Sequence, residues 1–229
     1  MSKDENVCKI KIAKNGPYIV TGNVPLQEKI IVKKGRGYEY KDGRDLPQAE
    51  EYHLCRCGKS KNAPFCDGSH ASHNFVGTET ASRAKYEDRS DLFEGPGIAL
   101  LDDNRCAFAR FCHSDKGNTW SLVENSDKPE YREKAIKTAS DCPTGRLTAI
   151  DKRTGMAIEP EYEPCIEIIQ DPEEGVSAGI FVKGNIPIEA ADGEIYEIRN
   201  RVTLCRCGRS YNKPFCDATH IPIGFSDER

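Results

Sequence analysis

Apolar positions along the chain come in short alternating runs between turn signals, not in long helical stripes. Pro17 to Thr21, Lys29 to Lys33, Gly179 to Lys183 and Ile195 to Arg199 are rich in Ile, Val, Tyr and Phe and read as short strands. Tyr52 to Cys55 and Val202 to Cys205 read the same way, each ending on a cysteine. Gly, Ser, Asn and Pro follow both, so loops come next. A short helix is expected to begin near Phe65 and near Phe215 and to carry a Cys-x3-His, because residues i and i+4 share a helix face. In the middle of the chain Ser126 or Asp127 is placed to cap a helix running to Ser140, with Pro129 in its first turn. Gly97 to Leu101 is typical of the longest apolar runs, far short of the roughly 20 residues that span a bilayer.

The pattern repeats. Leu54 to His70 reads LCRCGKSKNAPFCDGSH and Leu204 to His220 reads LCRCGRSYNKPFCDATH, identical at 12 of 17 positions. Upstream, Ile19 to Pro25 parallels Phe181 to Pro187. The first copy holds about twelve extra residues, which Tyr38 to Gln48 would supply. Two copies are too few for a solenoid, so they form either two halves of one pseudo-symmetric unit or two separate beads.

Composition narrows the function. The chain has 229 residues, 33 basic and 37 acidic, for a net charge of −4, which argues against a nucleic-acid footprint. MSKDENVC at the start lacks the apolar segment of a secretory signal. Eleven cysteines, an odd number, then fit metal binding in a reducing cytoplasm better than a disulfide framework. Cys55, Cys57, Cys66 and His70 give C-x-C-x8-C-x3-H, and Cys205, Cys207, Cys216 and His220 repeat it. Three thiolates and an imidazole suit zinc or an iron–sulfur cluster. The C-x-C spacing is tighter than the usual zinc pair and would let neighbouring cysteines grip one iron while Cys66 and His70 grip another; zinc stays open on this reading.

Cys55 to His70 resembles the signature of the CDGSH iron–sulfur domain, the mitoNEET-like family, at every fixed position. The second copy matches through Cys205, Cys207, Ser210, Pro214, Cys216, Asp217 and His220, but has Ala218 where the family has Gly. The resemblance implies one [2Fe–2S] cluster per motif, held by three Cys and one His on a small β-rich fold. It also implies an intramolecular pseudo-dimer, because two motifs pack about a two-fold axis in that family. Free imidazole titrates near pH 6.5, so proton competition for His70 or His220 is expected to make the clusters labile below about pH 6. Ser60 and Ser210 are expected to donate to cluster sulfides, Asp67 and Asp217 to cap the short helix, Arg56 and Arg206 to balance cluster charge, and Pro64 and Pro214 to shape the loop. His53 reads as a surface residue, Cys8 and Cys165 as incidental thiols, and Trp120 as middle-domain core. His73 follows His70 by three residues and is a rival ligand without an equivalent in the second copy.

The middle segment carries Cys106, Cys112 and Cys142-Pro143. Bacterial ferredoxins use C-x2-C-x2-C with a distant Cys-Pro; here Ala109 stands in the central place. The segment resembles the divergent mono-cluster ferredoxin-like domain that is found fused to CDGSH motifs. Three thiolates imply a [3Fe–4S] cluster; a [4Fe–4S] cluster needs another ligand, for which His113 and Asp115 are nearest, and three structural cysteines without a cluster is the remaining account.

The expected fold is α+β: a first β-rich CDGSH half over 1–88, a ferredoxin-like domain over 89–170 and a second half over 171–229. Ser82 to Ser90 and Asp171 to Glu174 read as the linkers. No catalytic triad, phosphate loop or dinucleotide fingerprint is visible, so a non-enzymatic, soluble, cytoplasmic monomer is expected. Electron transfer to an unidentified protein partner is the leading function. A cluster carrier or redox/pH sensor, and a structural zinc protein, are the alternatives.

Overall fold

A computed structural model describes residues 8–227. The first half holds β1 (Lys9–Ile12), β2 (Tyr18–Thr21), β3 (Leu26–Lys34), β4 (Gly37–Asp42), β5 (Glu51–Leu54) and the one-turn helix α1 (Ser69–Ser72). The middle holds β6 (Asp91–Glu94), β7 (Ile98–Asp102), β8 (His113–Ser114), β9 (Gly117–Asn118), α2 (Thr119–Glu124), α3 (Pro129–Ser140), β10 (Leu147–Asp151) and β11 (Ala157–Ile158). The second half holds β12 (Cys165–Asp171), β13 (Val176–Lys183), β14 (Ile188–Glu189) and β15 (Arg201–Leu204). The described residues are mostly β with three α-helices.

The two halves exchange strands. One sheet runs β14-β1-β2-β5 and another β15-β13-β12-β3-β4. In each half, the chain leaving the Gly-Asn-x-Pro turn crosses to the first strand of the other half and pairs with it in parallel: β3 with β12, β14 with β1. The hydrogen bonds that start these pairings are reciprocal, Ile166 N–H to Pro25 O and Ile10 N–H to Pro187 O, both 2.9 Å. Alternation along the strands sends Ile10, Ile12, Val20 and Leu54 into one core with Ile166, Ile168, Ile180, Val182 and Leu204. Neither half has a core of its own, which excludes separate beads.

The extra residues of the first copy extend β3 and β4 into a long hairpin, whereas β14 is only two residues long. That hairpin covers the middle cysteine loop, with the Tyr40 ring 4.4 Å from Phe111. The middle sheet, β11-β10-β7-β6, packs α2 and α3 onto its own core of Ile98, Leu100, Leu122, Ala135 and Leu147.

Several boundaries differ from the sequence expectation. A division at 170 would cut β12, which is paired on both edges, so Cys165–Asp171 belongs with the second half. Asp171 to Glu174 is the tight β12–β13 connection rather than a linker, and buried Asp171 accepts two hydrogen bonds from Arg110. Ser82 to Ser90 is tied to the rest of the fold: Arg83 pairs with Asp192 and Glu194, and buried Tyr86 donates to Leu101 O and Arg146 O. Ile195 to Arg199 is not a strand; Ile195 makes one isolated bridge to Glu189. Helix α3 starts at Pro129 with Lys128 as its N-cap, because Ser126 turns instead to Val123 O and to the Gly97 N–H.

Candidate metal centres

Each motif is built the same way. Strand β5 or β15 ends where the Cys55 and Cys205 N–H groups leave the ladder for Pro64 O and Pro214 O, both at 2.8 Å. Cys66 N–H returns to His53 O and Cys216 N–H to Thr203 O, both at 2.9 Å, closing the loop against the strand. The peptide bonds before Pro64 and Pro214 are cis. Cys66 and Cys216 precede any helix: α1 begins only at Ser69, and the second copy has turns there. The i, i+4 pairing survives without a continuous helix because Asp67 accepts the Lys61 and Ser69 N–H groups, and Asp217 those of Tyr211 and Thr219. These carboxylates are therefore loop ties, as expected of a structural role.

Ligands come in two close pairs per motif. Cys55 and Cys57 Sγ lie 3.7 Å apart, and Cys66 Sγ lies 3.4 Å from His70 Nδ1. In the second motif the separations are 3.6 Å for Cys205 and Cys207, and 3.5 Å for Cys216 and His220 Nδ1. Among the described residues no group of three or more Cys, His, Asp or Glu converges on one point. The donors suit metal. Contact with Cys57 and backbone N–H groups pulls the Cys55 thiol down to about 5, and Cys205 falls to about 7 for the same reasons. Burial, with Arg206 nearby, pushes His220 down to about 4, so its imidazole is neutral as a ligand must be.

The serine expectation needs correction. Ser60 and Ser210 hydroxyls donate to Phe65 O and Phe215 O at 2.6 and 2.7 Å, bracing the loop; it is their backbone N–H groups that face the cysteines. Arg56 and Arg206 are buried, not exposed. Arg56 donates to Gly16 O and Gly77 O, and Arg206 to Ala178 O and Ile169 O. Arg206 also pairs with the buried Asp227 carboxylate, while Gly77 stands at the corresponding place beside Arg56. Sequence reasoning passed over Asp227; its offset of 150 from Gly77 is the signal that marks it.

The motifs touch. A Cβ on Gly58 would lie 2.6 Å from Cys207 O, and one on Gly208 would lie 2.5 Å from Cys57 O. Both glycines have positive φ, 70° and 76°. This reciprocal contact places the two sites back to back. They are not equally enclosed. Cys216 and His220 are 3% and 2% exposed, whereas Cys66 and His70 are only half-buried and α1 has no buried residue.

Cys106, Cys112 and Cys142 line one cavity with Ala109, Arg146 and Trp120. Burial and the neighbouring Cys142 and Cys106 push the Cys112 thiol up to about 11. Phe108 and Arg110 adopt positive φ, 59° and 66°, which curls the loop, and the Phe108 N–H points at Cys106 Sγ at 3.3 Å. Asp115 pairs with Lys134, and exposed His113, although 3.4 Å from Cys112 Sγ, is not among the lining residues. The middle segment docks on the second motif through Arg105, stacked 4.4 Å from the Phe215 ring, and Arg201, which donates to Cys142 O, Ala139 O and Leu147 O.

Other candidates fall away. His53 is exposed beside Glu51, and His73 Nδ1–H is directed to Ser69 O at 2.9 Å. The Cys8 thiol meets Gly22 O, and Cys165 Sγ lies near Ile166 O. Trp120 packs against the middle core, as expected.

Residues 15–71 and 178–221 match the family model described as iron-binding zinc finger CDGSH type. Over 26 residues the chain is 62% identical to the CDGSH iron-sulfur domain-containing protein 2 homologs of Drosophila virilis and Drosophila grimshawi, a stretch covering 11% of this chain and 20% of each relative. The chain thus spans about one fifth of the length of these relatives. No solved structure matches significantly. Two CDGSH-type iron-binding domains therefore stand in this one chain, and the protein is an iron–sulfur protein.

Proposed function

We propose that the protein transfers electrons through two [2Fe–2S] clusters, with Cys55 and Cys57 on one iron and Cys66 and His70 on the other, and likewise Cys205 with Cys207 and Cys216 with His220. The pairing of ligands carries this reading. Separations of 3.4 to 3.7 Å sit close to the edge of a tetrahedral site with bonds of about 2.3 Å. A single zinc asks all four donors to meet at one point, which the two-pair arrangement does not favour. The exchanged strands and the reciprocal glycine contacts support an intramolecular pseudo-dimer.

A bound cluster supplies one-electron exchange. The chain's part is to hold it and tune it. Thiolates and a neutral imidazole fix the irons, and backbone N–H groups of Gly58, Ser60, Gly208 and Ser210 stabilise the cysteine sulfurs. One imidazole in place of a thiolate lowers the negative charge, which raises the potential as in His-ligated Rieske centres. Cys106, Cys112 and Cys142 are proposed to hold a third cluster in the ferredoxin-like middle domain. With Ala109 at the fourth corner and no further thiolate, carboxylate or imidazole in the lining, [3Fe–4S] is favoured over [4Fe–4S]. All eleven cysteines are free, which supports a reducing, cytoplasmic setting. The function requires a protein redox partner and no catalytic residue in this chain.

The half-buried Cys66–His70 pair favours one second reading, a labile cluster that is delivered or lost in sensing.

Iron, acid-labile sulfide and zinc on anaerobically purified protein test the proposal. About four irons and four sulfides per chain are expected for two clusters, and about seven irons with the third. Stoichiometric zinc without colour overturns it. Reversible reduction without metal loss supports electron transfer; transfer of iron and sulfide to an apo-acceptor supports the carrier. His70→Cys should lower the potential of the first cluster and make it acid-resistant.

A further inference from the structure

Between the two motifs runs a groove of about 850 Å³. Cys57, a ligand residue of the first site, lines it, together with Lys59, His73 and Val76 from the first half and Arg209, Tyr211 and Lys213 from the second. Three cations line the groove and no carboxylate does, although the whole chain carries a net charge of −4. The acids closest in sequence, Asp67 and Asp217, are engaged by backbone N–H groups of their own loops. Tyr211 is 86% exposed and Val76 69%, so apolar surface stands beside the charge.

We propose that this groove is the docking surface for an acidic electron-transfer protein, and that the first cluster is the port through which electrons cross. The inference rests on the two-cluster reading. Charge complementarity selects the partner: a locally cationic groove on an anionic molecule steers an acidic patch there and repels it elsewhere. A mixture of Tyr, Arg and aliphatic side chains is typical of a protein interface, whereas a polyanion such as DNA would meet a net-negative molecule with only three lining cations. The second site is enclosed by the middle segment, so the more open first site is the one a partner approaches.

The test uses the full-length, cluster-loaded chain and a plant-type [2Fe–2S] ferredoxin, a strongly acidic protein, reduced beforehand. Stopped-flow reduction should slow on the order of tenfold between about 0.05 M and about 0.5 M salt. Lys59→Glu/Arg209→Glu/Lys213→Glu should slow it similarly at low salt, with the Gln triple variant in between. Dithionite should reduce every variant as fast as the parent, and visible spectra should show that the clusters remain. Equal ferredoxin rates for parent and variants overturn the proposal, as does faster reaction with cytochrome c, a basic protein. Displacement of ferredoxin by duplex DNA or anionic vesicles overturns it in favour of a polyanion site. A colourless, iron-free sample instead overturns the cluster reading, which separates the two failures.

Discussion

The two metal motifs share 12 of 17 residues and the same loop hydrogen bonds, yet they sit in different environments. The second is sealed by the middle segment and by the buried Arg206–Asp227 pair. The first ends in an exposed helical turn, and its arginine faces glycine. Ligand identity is thus shared, while solvent access and charge are not. In an iron–sulfur site those last two quantities tune potential and lability.

The largest expected effect separates the arginines. Arg206→Met leaves the Asp227 carboxylate buried without its cation and should cost about 3–5 kcal/mol. Arg56→Met removes hydrogen bonds to carbonyls only, at about 1–3 kcal/mol. Urea denaturation of the two variants reads the difference, and equal losses would erase this part of the comparison.

Gly58→Ala and Gly208→Ala should behave alike, because their contacts are reciprocal. Each combines overpacking with left-handed backbone strain, about 3 kcal/mol in all. Melting temperatures check this; a large effect at one glycine alone would break the symmetry.

Acid should remove the clusters in two steps. His220 is held neutral down to about 4 by burial and Arg206, so its metal bond resists protons until the pH nears that value. Water reaches the half-buried His70, so the first cluster should bleach at higher pH. For the metal-free chain the sign is the same: between about 6.5 and about 4 the unfolded state binds the His220 proton and the folded state does not, so stability falls as pH falls through that window. Visible absorbance against pH should therefore drop by about half before the remainder goes. His70→Cys should abolish the first step.

The smallest effect concerns the one departure from the signature. Ala218 has φ 67°, matching Gly68 at 87°. Ala218→Gly should stabilise by about 1 kcal/mol, and Gly68→Ala should cost about as much, since a Cβ there meets no neighbour. Thermal denaturation of both resolves the sign.

The repeat and its eight ligands were legible because a duplicated spacing of rare residue types survives without three-dimensional information. Strands that alternate cleanly, such as Tyr18–Thr21, were also legible. The parallel pairing of β3 with β12 was not, since those strands lie 140 residues apart at Leu26 and Ile166 and no local pattern links them. Asp171 looked like solvated linker because its run is acidic; its buried partner, Arg110, is 61 residues away. The hydroxyls of Ser60 and Ser210 were misassigned because a nearby carbonyl, invisible in one dimension, competes for them.

Strand exchange within one chain has a further consequence. When two copies of a chain pair, their union weakens on dilution, and a substitution in one subunit is imposed on both. Here a covalent tether holds the partners at a fixed effective concentration, so the pairing is independent of how much protein is present. Each half is also free to mutate alone. Asp227 without a counterpart at Gly77, and a long hairpin in one half only, are what that freedom leaves behind.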